Sequence, residues 1–301
     1  MVGVGSSAHA IGAPLITHAL PSVLLVGCGD IAQRLAALLR NDFQLTGLRR
    51  RPESLPSFIA PLAADVCDDD AVRAALQHTV FDYVVITLTP GERSEDRYRQ
   101  VYVDGTRNVL AALQGSPRLL FVSSTSVYAQ DKGERVDEQS PALGKGFSGR
   151  CLLAAERLVA ESGFAATVLR LSGVYGAGRN RLLIQVREGR VGVAQAAQWT
   201  NRIHADDAAR ALEHLLRRWQ AGSVPAPCYI ASDTQPVPAG EVWCWLAEQM
   251  GVALPMAADT LQQPASGKQC SSALLQQTGF QFLYPDFRAG YADALSNTAK
   301  L

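Results

Sequence analysis

The chain has 301 residues, of which 48% are hydrophobic and 19% are charged, so it is long enough to bury one large core or two smaller ones. Its 28 Lys and Arg residues balance its 28 Asp and Glu residues, and this neutrality argues against nucleic acid or an anionic membrane surface as a partner. The six cysteines are scattered without a C-x-x-C pair, which predicts free thiols in a reducing, cytoplasmic setting and no metal cage.

The first 20 residues are mildly apolar and rich in Gly, Ala and Ser. The first Lys or Arg of the chain is Arg34, so the cationic start of a signal peptide is missing. No apolar run in the sequence approaches the roughly 20 residues that span a bilayer. We therefore predict that residues 1–20 are a flexible tail and that the chain does not cross a membrane.

The first strong strand leads directly into a glycine-rich loop. Residues 23–26 are a short apolar run, typical of a strand buried on both faces of a parallel sheet. The pattern G-x-G-x-x-A follows and opens a helix, where backbone N–H groups bind the pyrophosphate of a dinucleotide and small side chains permit close approach. A plain turn is the alternative. The predicted cofactor contacts in this segment are Gly27, Gly29, Asp30, Ile31 and Ala32.

The end of the second predicted strand, at residues 43–48, distinguishes the two nicotinamide cofactors. In NAD-binding sheets an acidic residue about 20 positions after the loop binds the ribose 2′-hydroxyl. Here the place is taken by Arg49, Arg50 and Arg51, and the first carboxylate is Glu53. Because guanidinium groups pair with a 2′-phosphate through forked hydrogen bonds, we predict NADP, with NAD possible and a solvated basic turn as the alternative.

Strand and helix patterns alternate along the rest of the chain. Apolar runs predict strands at residues 83–86, 119–122, 167–171 and, more weakly, 228–231, and helical periodicity is found at 31–40, 69–78, 93–113, 152–161 and 206–219. Such alternation is typical of right-handed βαβ units. The predicted fold class is α/β, a Rossmann-type doubly wound parallel sheet with a small C-terminal substrate lobe.

The rhythm of strands and helices changes in the last part of the chain. Residues 176–200 are irregular and begin with a glycine-rich stretch, and the final segment is rich in Pro and Gln with one clear helix around 241–250. We predict a small substrate lobe formed by 176–200 plus 233–301. The NAD(P)-binding Rossmann domain then comprises 21–175 plus 201–232.

Five short segments carry a resemblance to a known family. They are Ala64-Asp65-Val66, Gly105-Thr106-Arg107-Asn108, Ser123-Ser124-Thr125-Ser126-Val127-Tyr128, Leu169-Arg170-Leu171-Ser172-Gly173-Val174-Tyr175-Gly176 and Arg202-Ile203-His204-Ala205-Asp206-Asp207. In this order, over about residues 22–290, they resemble the short-chain dehydrogenase/reductase superfamily, in particular its extended and atypical branch of NAD-dependent epimerase/dehydratase-like proteins. The resemblance implies a homodimer and a small-molecule substrate.

The resemblance also assigns roles to two side chains. It implies that Asp65 contacts the adenine and that Ser124 hydrogen-bonds the substrate oxygen at the site of hydride transfer. The residues themselves place Ser124 beyond the carboxyl end of a strand, where open α/β sheets bind ligands. The alternatives are a helix-capping turn for Asp65 and a turn hydroxyl for Ser124.

One departure from the family pattern affects the chemistry. Family members carry a Tyr followed four residues later by Lys, which together act as a general acid-base pair. Alignment on Glu156 puts Ser148 and Leu152 at these positions, and no neighbouring register supplies the dyad. The active-site Asn of the family is replaced by Tyr102. We consider Tyr128 as a substitute acid, with a buried ring as the alternative.

The substrate side is predicted from the loops that follow the last strands. Arg179 lies in the glycine-rich stretch and is suited to a phosphate or a carboxylate, and Arg202 and His204 lie on a loop that faces the substrate in related extended members. A packed loop histidine is the alternative for His204. Asp206 precedes an amphipathic stripe, and we predict that it caps this helix.

Two functions are consistent with the sequence. The first is an NADP-dependent oxidoreductase or epimerase/dehydratase-like enzyme that acts on a small polar or nucleotide-linked substrate. The second is a non-catalytic NADP-binding sensor or scaffold, because the Tyr and Lys of the dyad are missing. Turnover of NADPH distinguishes them.

Overall fold

A computed structural model describes residues 20–192, 196–254 and 266–298 of the chain. The predicted tail at 1–20 therefore lies outside the described residues apart from Leu20, and so do three short parts of the predicted substrate lobe. Within the described ranges no helix is long and apolar enough to cross a membrane.

The described residues form strands and helices in alternation. The strands are β1 (Ser22–Val26), β2 (Gln44–Arg49), β3 (Ala60–Ala63), β4 (Tyr83–Ile86), β5 (Arg118–Ser124), β6 (Lys132–Val136), β7 (Ala166–Leu171), β8 (Gly173–Tyr175), β9 (Trp199–Thr200), β10 (Arg202–His204), β11 (Cys228–Ala231), β12 (Val237–Pro238) and β13 (Gly267–Cys270). The helices are α1 (Asp30–Leu39), α2 (Asp69–Leu76), α3 (Glu95–Tyr98), α4 (Gly105–Ala112), α5 (Phe147–Glu161), α6 (Arg181–Arg187), α7 (Ala205–Gln220), α8 (Ala239–Met250), α9 (Ala273–Gln277) and α10 (Phe287–Thr298). A π-helical turn, Arg99–Asp104, connects α3 to α4.

The main sheet has seven parallel strands in the order β3-β2-β1-β4-β5-β7-β11. The strand order changes direction beside β1, which lies between β2 and β4. A crevice opens at such a switch point beyond the carboxyl ends of the strands. This topology confirms the predicted Rossmann-type doubly wound sheet.

The apolar runs form strands because both faces of the sheet are covered. Successive residues of β1 point to opposite faces. Val23 and Leu25 pack into the core that includes α1 and α7, whereas Leu24 and Val26 pack into the core that includes α2, α4 and α5. All four side chains are fully buried, and each contributes about 1.5–3 kcal/mol to folding.

Some elements differ from the sequence prediction. The edge strand β3 is absent from it, because the Ala-Pro-Leu-Ala segment is exposed or half-buried and lacks an apolar run. Helix α5 begins at Phe147, well before the predicted start at residue 152. The helix predicted at 93–113 is divided into α3, the π-helical turn and α4.

A second region packs beside the main sheet. It contains a four-stranded sheet in the order β12-β9-β13-β6, the parallel pair β8-β10, and a separate hydrophobic core that draws residues from α6, α8 and α10. Strand β6 comes from the part of the chain predicted for the Rossmann domain, yet it pairs with β13. The four-stranded sheet therefore joins segments that the predicted division of the chain separates.

Candidate functional site

The glycine loop sits at the switch point between β1 and α1. Gly27 has a φ of +84°, and a Cβ there would lie 3.0 Å from the backbone oxygen of Thr87. Its N–H donates to the oxygen of Leu48 (2.9 Å), which joins the loop to β2. Gly29 precedes α1 with an extended backbone, and no side chain caps the helix. The first N–H groups of α1 are therefore open to an anion.

A cavity of about 450 Å³ lies beside this loop. It brings together predicted residues from three separate segments of the chain: Gly27, Gly29, Arg49, Arg50, Arg51 and Asp65. Its volume falls within the usual range for a small-molecule site. We call it the first cavity.

Three polar side chains of the first cavity have local partners. Arg97 donates from Nε to the backbone oxygen of Pro90 (3.3 Å) and from Nη1 to Gln100 Oε1 (3.2 Å). Arg49 donates from Nη1 to the backbone oxygen of Cys28 (3.4 Å). Asp65 accepts a hydrogen bond at Oδ1 from the N–H of Cys67 (3.0 Å), whereas the cap of α2 is provided by Asp68. Asp65 therefore forms a local turn and faces the cavity at the same time.

A second cavity, of about 210 Å³, continues from the first and shares Gly29, Leu88 and Thr89 with it. The polar side chains that line it come from α1, the loop after β4, the π-helical turn, β5 and the loops after β7 and β8: Asp30, Thr87, Thr89, Tyr102, Ser123, Ser124, Ser172 and Arg179. The two joined cavities give the crevice the form of one elongated site.

An ion-pair network crosses the glycine loop. Arg179 donates from Nε and Nη2 to Asp30 Oδ2 (3.2 and 3.0 Å). Arg34 donates from Nε to Asp30 Oδ1 (2.8 Å), pairs with Asp206, and reaches the backbone oxygen of Ala177 (3.3 Å). These contacts hold the loop after β8 over the start of α1.

Ser124 forms a turn and also faces the second cavity. Its Oγ accepts a hydrogen bond from the N–H of Ser126 (3.2 Å), so it forms a turn. Its side chain also lines the second cavity. Because a hydroxyl that accepts one hydrogen bond keeps its own proton, Ser124 can still donate to a ligand.

Tyr128 lies outside both cavities. Its side chain is 2% exposed, and its hydroxyl accepts a hydrogen bond from Arg170 Nη1 (2.8 Å). Burial raises the pKa of this phenol above its ordinary value. Arg170 in turn donates to both oxygens of Glu156 (3.1 and 2.6 Å), and Glu156 accepts from Ser123 Oγ (2.5 Å). Tyr128 thus ends a buried network whose other end, Ser123, lines the second cavity.

The buried pair of Glu156 and Arg170 was absent from the sequence prediction. Both side chains are about nine-tenths buried in the core between α5 and β7. A signal for it exists in the sequence, since Arg170 is a single charged residue inside an apolar strand. Such a residue requires a buried partner of opposite charge.

The structure brings Arg179 to the second cavity but places Arg202 and His204 elsewhere. Arg202 is 8% exposed and donates from Nη1 to Thr200 Oγ1 (2.8 Å). His204 is 1% exposed and packs against the rings of Tyr175 and Tyr284. Both residues belong to β10, whose pairing with β8 directs them into the packing of the second region.

His204 also corrects the predicted cap of α7. Its Nδ1 accepts a hydrogen bond from the N–H of Asp206 (3.2 Å), so the histidine caps the helix and the prediction for Asp206 was wrong. Asp206 instead forms an ion pair with Arg34. Burial lowers the pKa of His204, in agreement with a neutral ring that accepts at Nδ1.

Helix α5 does not supply the missing dyad. Leu152 is 2% exposed and packs in a hydrophobic cluster with Tyr128. A Cβ at Gly149 would lie 2.5 Å from the backbone oxygen of Ser126, so α5 approaches the turn after β5 closely. Among the described residues that line the second cavity, none comes from α5.

The sheet topology, the glycine loop at its switch point and the two joined cavities define a Rossmann-type, dinucleotide-binding class of protein. The model of the NAD dependent epimerase/dehydratase family matches residues 24–231, and the chain belongs to this family. This confirms the resemblance drawn from the sequence.

Individual relatives match over most of the chain. A solved protein of Methylobacillus flagellatus, whose assignment as an NAD-dependent epimerase/dehydratase is provisional, is 37% identical with a TM-score of 0.82, over 93% of this chain and 100% of that chain. Protein YeeZ of Escherichia coli K12 is 27% identical over 89% of this chain and 97% of its own length. A 3-diazoavenalumate denitrifying reductase of a Streptomyces species is 27% identical over 74% of this chain and 79% of its own length.

Proposed function

We propose that the chain is an NADP-dependent oxidoreductase that reduces the carbonyl group of a small polar substrate. The observation that carries this proposal is the charge around the first cavity. Arg49, Arg50, Arg51 and Arg97 line it, and Asp65 is the one carboxylate among its described lining residues. This excess of guanidinium groups favours a ligand with an additional phosphate.

The first cavity offers backbone N–H groups and guanidinium groups, which are the groups that bind the phosphates of a dinucleotide. Gly27 and Gly29 leave the first N–H groups of α1 open for the pyrophosphate. Arg49 and Arg50 are proposed to bind the 2′-phosphate, and Asp65 the adenine. When NADPH is bound, its reduced nicotinamide supplies a hydride.

The second cavity suits the reacting part of a small polar substrate. Its lining includes hydroxyl groups of Thr87, Thr89 and Ser124. We propose that Ser124 Oγ donates a hydrogen bond to the substrate carbonyl and that Arg179 binds a carboxylate or phosphate on the substrate. The Streptomyces relative, a denitrifying reductase, supports a reduction as the class of reaction.

Calorimetric titration with NADPH and NADH tests the cofactor. The Arg49→Ala/Arg50→Ala variant should lose about 100-fold or more in NADPH affinity, since it removes two guanidinium groups and each charge-assisted hydrogen bond contributes about 1.5–3 kcal/mol. Its affinity for NADH should change less than about threefold. Arg73→Ala, which removes an exposed guanidinium of α2 outside both cavities, is the matched control. Equal losses for both nucleotides, or no binding of either, would refute the proposal.

A non-catalytic NADP-binding sensor or scaffold is the second candidate. It is favoured by the observation that α5, at the described positions, contributes no side chain to the second cavity and buries Leu152 where the family has its Lys. NADPH absorbance during incubation with a panel of aldehydes, ketones and nucleotide-linked sugars separates the two functions. Tight binding without oxidation of NADPH supports the sensor.

A further inference from the structure

Among its described lining residues the second cavity contains one phenol, that of Tyr102. The resemblance drawn from the sequence sets Tyr102 at the place of the family's active-site Asn, and this residue lies in the π-helical turn Arg99–Asp104. Among the described residues that line this cavity, Tyr102, Asp30 and Arg179 are the ones with an ionisable side chain. Asp30 and Arg179 are paired with each other. Of these three ionisable side chains, Tyr102 is therefore the one that does not belong to an ion pair.

The ring of Tyr102 is held from one side by other aromatic rings. Its centroid lies 5.5 Å from that of Tyr98 at an interplanar angle of 64°, and Tyr98 packs edge-on against Phe147 at 5.1 Å. Apolar residues of two hydrophobic clusters also contact the ring of Tyr102. This packing fixes the ring between the core and the cavity.

The hydroxyl of Tyr102 differs from those of Tyr128 and of Tyr175, the last residue of β8. Tyr128 accepts a hydrogen bond from Arg170, and Tyr175 donates to the backbone oxygen of Asp286 (3.3 Å). The Tyr102 hydroxyl forms no hydrogen bond with the part of the chain that the structure describes, and it is not among the fully buried unpaired atoms. It is therefore free to bond to a ligand in the cavity.

The π-helical turn explains how Tyr102 reaches this place. Such turns widen a helix locally and are frequent at functional sites. Here the turn starts directly after α3 and ends at α4, and it presents Tyr102 to the cavity while Val101 on the same turn is buried. The irregular backbone is thus located where the phenol lines the site.

We propose that Tyr102 is the proton donor of the oxidoreductase reaction, in place of the tyrosine that α5 lacks. This inference rests on the proposed function. As the substrate carbonyl carbon accepts the hydride, the π electron pair moves to the carbonyl oxygen, which takes the proton of Tyr102 Oη. Ser124 Oγ donates a hydrogen bond to the same oxygen. Water in the open cavity returns a proton to the phenolate, so one carbonyl, one NADPH and one proton give one alcohol and NADP⁺.

The electrostatic surroundings agree with a donor that is protonated before the reaction. Burial, followed by the neighbouring Tyr98, raises the pKa of Tyr102 to about 12. The charges of Asp30 and Arg179 across the cavity offset each other. A positively charged nicotinamide ring in the second cavity would stabilise the phenolate and lower this pKa.

Ultraviolet absorbance of tyrosinate at increasing pH tests the position of Tyr102 without any substrate. With saturating NADP⁺, one phenol of the wild-type protein should ionise at a pH about one unit lower or more than in the free protein. Tyr83→Phe, which removes a phenol at the amino end of β4, should keep this shift, and Tyr102→Phe should lose it. A shift that is absent from the wild type, or that persists in Tyr102→Phe, overturns the proposal. Loss of the shift in Tyr128→Phe instead also overturns it.

The rate of NADPH oxidation with glyceraldehyde, 2,3-butanedione and 4-nitrobenzaldehyde tests the proton transfer. Tyr102→Phe should lower kcat by about 100-fold or more with little change in KM, since a positioned general acid contributes about 10²–10⁴-fold. Tyr83→Phe should stay within about threefold of the wild type. An unchanged kcat in Tyr102→Phe rejects the donor role, whereas no turnover by the wild type rejects the proposed oxidoreductase function on which that role rests.

Calorimetry separates failure of this inference from failure of the proposed function. Tyr102→Phe should bind NADPH within about threefold of the wild type, because the first cavity does not include Tyr102. If the wild type binds no NADPH, the proposed function itself fails. If it binds NADPH and the tyrosinate shift is missing, only the role of Tyr102 fails.

Discussion

The two cavities of the crevice are built in different ways. Among the described residues that line the first cavity are two glycines of one loop and three guanidinium groups that follow one another along the chain. The polar side chains described in the second are hydroxyl groups, one phenol and an ion pair, and six segments of the chain contribute them. A binding site for a constant ligand thus depends on local backbone conformation, whereas a site for a variable ligand depends on side chains that only tertiary packing brings together.

The two cavities also differ in whether their charged side chains are already paired. Four guanidinium groups and one carboxylate line the described part of the first cavity, so its positive charge is available to a ligand. In the second cavity Arg179 and Asp30 already form an ion pair. A ligand must therefore compete with a carboxylate for Arg179, whereas Arg49 and Arg50 form no ion pair with a described carboxylate.

The largest expected effect tests whether the second cavity depends on the buried pair beneath it. Glu156→Ala leaves the Arg170 guanidinium buried without its partner, and we expect the free energy of unfolding to fall by about 3–5 kcal/mol. Urea denaturation measures this loss. Glu188→Ala breaks an exposed pair with Arg190 and should cost less than about 1 kcal/mol.

A paired substitution completes this test. Glu156→Leu/Arg170→Met removes both charges and should recover most of the stability that Glu156→Ala loses. If Glu156→Ala is as stable as the wild type, the buried network does not stabilise the residues that line the second cavity.

The next effect concerns the first cavity alone. A Cβ at Gly27 requires a strained backbone and lies 3.0 Å from the oxygen of Thr87, so Gly27→Ala should lower NADPH affinity about 100-fold or more. Gly163 has nearly the same φ, +81°, with no atom within 4 Å of a Cβ. Gly163→Ala therefore introduces similar strain and should leave the affinity unchanged in calorimetry. Equal losses in both variants would show that strain, and not the loop, determines binding.

The smallest effect concerns the junction of the two cavities. Arg179→Ala leaves Arg34 as the one described partner of the Asp30 carboxylate at the start of α1, so the repulsion between this carboxylate and the pyrophosphate increases and NADPH binding should weaken about five- to tenfold. Adding Asp30→Asn to this variant should restore most of the affinity. If Arg179→Ala binds NADPH like the wild type, Arg179 does not balance Asp30 during binding.

The sequence was sufficient for features that depend on neighbouring residues. The apolar runs of β1, β4, β5 and β7 were recognised because strands buried on both faces need no polar alternation. The glycines at 27 and 29 were recognised because the loop needs small residues at fixed spacing. The cavity beside them contains these glycines and the three successive arginines.

Features that depend on tertiary contacts were not predicted. His204 caps α7 because its Nδ1 reaches the N–H of Asp206, although histidine is not a preferred cap residue. The short strand β10 pairs with β8 and turns Arg202 and His204 away from the cavities, and no local pattern indicates such pairing. Tyr102 was identified as a substitution, but its place in the second cavity depends on the π-helical turn.

The π-helical turn also has a consequence for comparing this chain with its relatives. A π turn corresponds to one residue more than a regular α-helix needs, and each residue turns a helix by about 100°. Deleting one residue between 99 and 104 would restore regular hydrogen bonding and rotate one flank of the helix relative to the other. In a relative whose helix is regular here, the residue that an ungapped alignment pairs with Tyr102 would therefore lie on a different face of the helix. A gap within 99–104 would be needed to pair Tyr102 with the residue on the same face.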